Sequence, residues 1–349
     1  MLSTNLQGAV FQCAEKASTR QRTIKRECIL SRCVRSVIAI FAVFAAALSP
    51  AGAQTMPVLR LQTVAAGVHV LRAPAFEPNA DNAGFVSNLG VIEDEHGLVL
   101  LGTGTSRRFA RHLIDFAERT LGKPVIAAVD LYGGGDHVLG NGVFVSRGVP
   151  VTAHVETDRF IRASCHTCVE RLTAALGENM MSGTVPVAAT VVFERSGYLT
   201  GVSRRIRLLH FGHTFQPGAT AVLDEATGTL FAGELGATGY LPDLYNANET
   251  GWRDALTELA ALGARQVVPA HGAPGGREVL DEPRRYLDAL IGRVGEVFAA
   301  GTSLLDALDQ VNVAGFEHWY GYAIWHRRNV HFAYLHREEL DFGHTAAEH

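Results

Sequence analysis

Short β-branched runs that end at a loop bearing histidine or carboxylate recur along this 349-residue chain. They restrict it to an α/β scaffold that presents chemistry at its strand ends. Val125-Ile126-Ala127-Ala128-Val129 leads to Gly135-Asp136-His137, and Ile206-Arg207-Leu208-Leu209-His210 leads to Gly212-His213-Thr214. Thr229-Leu230-Phe231-Ala232 leads to Gly233-Glu234, and Gln266-Val267-Val268-Pro269 to Ala270-His271-Gly272. Imidazole nitrogens and carboxylate oxygens converging from separate loops form the donor set of a zinc-like ion. Each residue alone has a plainer reading. Asp136 after three glycines suits a turn, and His137 and His271 suit hydrogen bonds to loop carbonyls. Together, in this order, they read as a metal site.

The remaining pattern places two sets of elements, each β-rich first and helix-flanked later. Val64 to Leu101 reads as β, with alternation over Gly67–Arg72, strands at Asn82–Ile92 and Leu98–Leu101, and a tight turn at Glu95-His96-Gly97. Ser106 caps a helix through Leu121 that Gly122 and Pro124 stop. A second helix is expected over Glu156–Leu176, then strands at Thr190–Phe193, Ile206–His210, Ala221–Leu223 and Thr229–Ala232. Asp224–Gly228 joins the last two as a hairpin turn. Helix Trp252–Leu262, strand Gln266–Pro269, helix Glu282–Ala300 and a last helix over His326–Leu340 complete the chain. Such an order suits two β-sheets packed face to face with helices outside, an αβ/βα sandwich of four layers.

The first 53 residues read as a leader. Lys25, Arg26, Arg32 and Arg35 precede the apolar run Val37–Leu48, and Ala51-Gly52-Ala53 supplies a small-residue cleavage pattern. The run is too short to span a bilayer, so export to the periplasm with no stable membrane anchor is expected, leaving residues 54–349 as one domain. Seven Lys/Arg and two Asp/Glu leave with the leader, so the mature chain keeps 24 basic and 33 acidic residues. Its formal charge is then −9 against −4 for the whole, the wrong sign for a nucleic-acid partner. Cys13, Cys28 and Cys33 also leave, and only Cys165 and Cys168 remain.

The order of these motifs resembles the metallo-β-lactamase fold superfamily, and within it the SoxH-like quinoprotein relay system zinc metallohydrolases. The residues that carry the resemblance are Leu139-Gly140-Asn141-Gly142-Val143-Phe144, Gly212-His213-Thr214 with Pro217-Gly218, Leu230-Phe231-Ala232-Gly233, and His326-Arg327-Arg328-Asn329-Val330. The superfamily's Thr-His-x-His-x-Asp-His motif ends on Asp136 and His137, which sets its first two histidines on Tyr132 and Gly134. The usual bridging Asp falls on Glu234, and the two single histidines on His213 and His271. An Asp common in the Leu-Leu-x-Thr-Gly turn is here Gly102.

Glycine offers no donor, and a phenol with a pKa near ~10 is a poor zinc ligand at neutral pH. Asp136, His137, Glu234 and His271 therefore suffice for one zinc ion but not two. The resemblance implies a metal-dependent hydrolase of a small ester, thioester or amide-like molecule. Glu234 would serve as a further ligand or as general base, and His213 would join the same ion or donate to a developing oxyanion. A rival reading is a catalytically degenerate binding protein, an accessory to a periplasmic dehydrogenase system. A third is a thiol-redox protein using Cys165-His166-Thr167-Cys168. The strand-then-helix context of thioredoxins is missing there, which favours a structural disulfide or paired packing thiols. His326, His331 and His336 recur every five residues, a spacing that holds no single helix face. Trp319, Tyr320, Tyr322 and Trp325 read either as the lining of a pocket or as core aromatics, with core the commoner outcome near a C-terminal helix.

Overall fold

A chain whose strands are apolar on both faces must be covered on both faces. The computed structural model, which describes residues 56–347, shows how. One mixed sheet of seven strands runs in the order β1 (Leu61–Ala65), β2 (Val68–Leu71), β3 (Leu89–Glu93), β4 (Leu98–Leu101), β5 (Val125–Asp130), β6 (Val151–His154) and β7 (Val191–Phe193). Its first four strands are antiparallel, and β4 to β7 are parallel. The second sheet holds β8 (Gly197–Tyr198), β9 (Ile206–His210), β10 (Thr220–Asp224), β11 (Thr229–Ala237) and β12 (Gln266–His271) in the spatial order β12-β11-β10-β9-β8. Only β11 and β12 are parallel there.

Period-2 alternation sorts the side chains. On β4, Leu98 and Leu100 turn outward against helix Arg107–Leu121 through Phe109 and Leu113. Val99 and Leu101 turn inward, joining Val70, Ile92 and Val129 against Leu208, Val222, Phe231 and Val268 of the second sheet. The outer face of that sheet, with Leu209, Ala221 and Leu230, is covered by Trp252, Leu256, Tyr286 and Leu290 from helices Glu249–Ala261 and Glu278–Ala299. Three apolar layers thus separate four structural ones, the αβ/βα sandwich expected.

Several boundaries differ. Asn82 does not begin a strand. Its Oδ1 accepts from the backbone N–H groups of Asn79 and Gly84, closing a turn, and β3 starts only at Leu89. The helix expected over 156–176 is two helices, Val155–Ser164 and His166–Leu176, broken at Cys165. The helix expected from Glu282 starts at Glu278 and includes Pro283, and the last begins at Tyr322. Asp136 and His137 sit in a short helix, Gly135–Val138, rather than in an open loop. The expected leader, residues 1–53, lies outside the described residues. No helix among the described residues is long and apolar enough to cross a membrane.

Candidate metal centre

The helix after β5, the middle of β11 and the end of β12 meet at one edge of the sandwich. Asp136 follows β5 in the first turn of helix Gly135–Val138, Glu234 sits on β11 where its register with β12 shifts, and His271 ends β12. One donor atom from each lies within 4.8 Å of the others. His271 Nε2 and Glu234 Oε1 are 2.8 Å apart, and His271 Nδ1 lies 2.9 Å from the Val86 carbonyl oxygen. A carbonyl oxygen can only accept a hydrogen bond, so Nδ1 carries the proton and donates it, which turns Nε2 toward the centre. Tyr132 donates its phenol O–H to Asp136 Oδ2 at 2.7 Å.

His137 is buried beside this group, and neither ring nitrogen has a hydrogen-bond partner among the described residues. Its ring stacks on Tyr132 at 4.4 Å between centroids. Its backbone is better held, because Thr103 and Gly104 both donate their N–H groups to its carbonyl. Orphaned buried imidazole nitrogens are rare, and beside a carboxylate pair they suit a cation. Asp136, Glu234 and His271 therefore fit one zinc-like ion, whereas His137, expected as a fourth ligand, is not among the donors brought within 4.8 Å of one another.

Gly102 explains where the His137 ring lies. It adopts φ +87°, and a Cβ there would stand 2.5 Å from His137 Cε1 and 2.6 Å from Leu89 Cδ2. The absence of a side chain at 102 makes room for the imidazole.

His213 is not brought to the group. It is exposed, its Nε2 lies 2.7 Å from the Asn246 carbonyl oxygen, and it lines two surface cavities of about 670 and 590 Å³. Cys165 and Cys168 are joined as a disulfide at the break between two helices, with Cys165 fully buried. Of His326, His331 and His336, the first and last have structural partners. His326 is buried between the Tyr286 hydroxyl and the Val311 carbonyl, and His336 pairs with Glu249 at 2.6 Å.

Sequence reasoning missed two members of an aromatic wall, Phe76 and Tyr240. Tyr240 stacks on His271 at 3.9 Å, and Phe76, Tyr320 and Trp325 pack around Tyr240. Tyr320 and Trp325 therefore border the centre, although Trp319 is the core residue expected. Nothing in the spacing of Phe76 or Tyr240 marked them. Tyr132 was visible as a lost histidine, and its position four residues before Asp136 was the unused signal.

Burial pushes the His137 imidazole down to about 4. For His271 burial also opposes the cation, but the charge and hydrogen bond of Glu234 outweigh it and raise the pKa. Burial, reinforced by the charges of Asp136 and Glu234, lifts the Tyr132 phenol well above its ordinary range, so it remains a neutral donor.

The two histidines set opposite limits on the metal-free protein. His137 binds its proton more weakly when folded than the ordinary 6.5, so its contribution is full above that pH and falls as pH drops toward about 4. The loss is up to about 3 kcal/mol, at about 1.4 kcal/mol per pH unit. His271, with its raised folded value, contributes fully below 6.5 and loses that contribution as pH rises through the folded value. Urea midpoints measured in chelator are therefore expected to peak near pH 6.5 for this pair. A flat profile in the wild type, or no flattening of the alkaline limb by His271→Ala, would contradict it.

Residues 133–271 match the metallo-beta-lactamase superfamily. Among solved structures, the chain is similar to a metallo-beta-lactamase from Pontibacter korlensis at 20% identity and TM-score 0.52, covering 66% of this chain and 99% of that one. It is also similar to the metallo-beta-lactamase FIM-1 from Pseudomonas aeruginosa in its mono-zinc form, at 20% identity and TM-score 0.53, covering 68% and 98%. TMB-1 matches at 15% identity and TM-score 0.54, covering 66% and 98%. No curated protein matches the chain. The chain has the fold of these metallo-β-lactamases, and the stretch that matches the superfamily, residues 133–271, carries Asp136, Glu234 and His271.

Proposed function

We propose that this chain is an exported, zinc-dependent hydrolase of a small ester, thioester or amide-like substrate, with one ion per chain, related to the SoxH-like metallohydrolases. The observation that carries the reading is the convergence within 4.8 Å of donor atoms from Asp136 in the helix after β5, Glu234 within β11 and His271 at the end of β12. When bound, a zinc ion supplies Lewis acidity to a carbonyl and acidity to a water. The chain's own residues supply the rest. The Val86 carbonyl keeps the proton on His271 Nδ1. Glu234, the less buried partner of His271, is the carboxylate able to accept a proton from water. Tyr240 and its neighbouring rings wall the His271 side against solvent.

Turnover of ester, thioester and lactam substrates with and without chelator tests the reading, using protein isolated from the periplasm with an N-terminus at Gln54. Chelator-sensitive hydrolysis is expected, with about one zinc per chain by elemental analysis. Glu234→Gln is expected to lower turnover more than zinc affinity. Tyr132 and Gly134 in place of donors favour the second reading, a binding protein accessory to a dehydrogenase system. Zinc-loaded protein that hydrolyses no substrate class would replace the first reading with that one.

A further inference from the structure

We infer that Tyr132 is a positioning residue of this centre: its phenol aligns Asp136 for the ion, and its ring closes the flank where a second ion would need donors. This deepens the one-ion reading above and rests on it.

Tyr132 is only 2% exposed and donates to Asp136 Oδ2 at 2.7 Å. A carboxylate has about four lone-pair sites, so one donated bond fixes its rotamer and leaves acceptor capacity for a cation. The ring is equally committed. A Cβ on Gly134 would stand 2.4 Å from Tyr132 Cε2 and 2.5 Å from Asp136 Oδ1. One tyrosine ring and the carboxylate it holds thus fill the space that a side chain at 134 would need. His137 stacks on the ring at 4.4 Å, and Phe215 meets it edge-on at 6.0 Å. On this flank the only polar atom of Tyr132 is already spent on Asp136. Tyr132 and Gly134 are therefore one packing unit, and a donor restored at 134 alone would collide with it.

Tyr132→Phe keeps the ring and removes the O–H. Zinc titrated into the metal-free mature protein should bind this variant about 10- to 100-fold more weakly, as for loss of a hydrogen-bond partner of a ligand, and still at one ion per chain. Unchanged affinity would overturn the proposal, as would two tightly held ions in the wild type. A second measurement separates positioning from packing and needs no zinc. In urea unfolding of the metal-free proteins, Tyr132→Phe should lower the midpoint in the wild-type background but not in the Asp136→Ala background, where the phenol has no acceptor to lose. Equal shifts in both backgrounds would reduce Tyr132 to a filler and overturn the proposal. A wild type that takes up no zinc would defeat the one-ion reading, yet the unfolding comparison would still decide whether Tyr132 holds Asp136.

Discussion

The His271→Ala protein is expected to take up no zinc under conditions that fill the wild-type site. Its affinity loss should exceed the ~10- to 100-fold typical of removing a ligand's hydrogen-bond partner. His271 supplies the imidazole of the cluster, is 4% exposed, and is aimed by the Val86 carbonyl. Its removal leaves Asp136 and Glu234 as two carboxylates without a neutral donor between them. Asp136→Ala should have a comparable effect. His213→Ala should change affinity little, because that ring is exposed and bound to the Asn246 carbonyl. Calorimetric titration of zinc into the three metal-free variants makes the comparison. Complete loss in all three would mean that the His213 loop swings in to share the ion, against the arrangement described.

Gly102→Asp is expected to be among the most destabilising single changes in the domain. A non-glycine residue at φ +87° costs about 1–3 kcal/mol in backbone strain. Its Cβ would also press on His137 Cε1 and Leu89 Cδ2 at 2.5 and 2.6 Å, an overpacking cost of about 1–3 kcal/mol more. A total of about 2–6 kcal/mol should appear as a lower urea midpoint, most of it already present in Gly102→Ala. An unchanged midpoint would show that the His137 ring yields freely. The aspartate common in relatives at this turn therefore has no space to return to unless His137 moves first.

The sandwich was readable because its strands obey two simple rules. β4 is apolar at every position because it is buried on both faces, and the Asp224–Gly228 hairpin announces its own turn. Asp136, Glu234 and His271 were readable because each follows a recognisable apolar run, although β11 and β12 extend far enough to include Glu234 and His271. What stayed hidden depends on long-range packing. Nothing local tells that Phe76 and Trp325, far apart in sequence, would meet around Tyr240. The helix break at Cys165 was obscured because the apolar spacing on either side continues a single helical period. His213 shows the reverse limit. Its motif was intact, but positions 132 and 134 carry a tyrosine and a glycine in place of histidine donors, and its Nε2 meets a loop carbonyl.

The centre draws Asp136 from the seven-stranded sheet and both Glu234 and His271 from the five-stranded one. Apolar contact between the two sheets is non-directional and tolerates small sliding, whereas coordination fixes distance and angle. An ion seated there is a rivet through a laminate. It resists shear between the layers at the one edge where the apolar interface gives way to polar groups. Its contribution grows with free zinc as mass action requires, about 4 kcal/mol at a thousandfold excess over the dissociation constant. On the one-zinc reading proposed above, zinc scarcity would loosen the two layers at this edge, while the apolar cores still hold the rest of the sandwich.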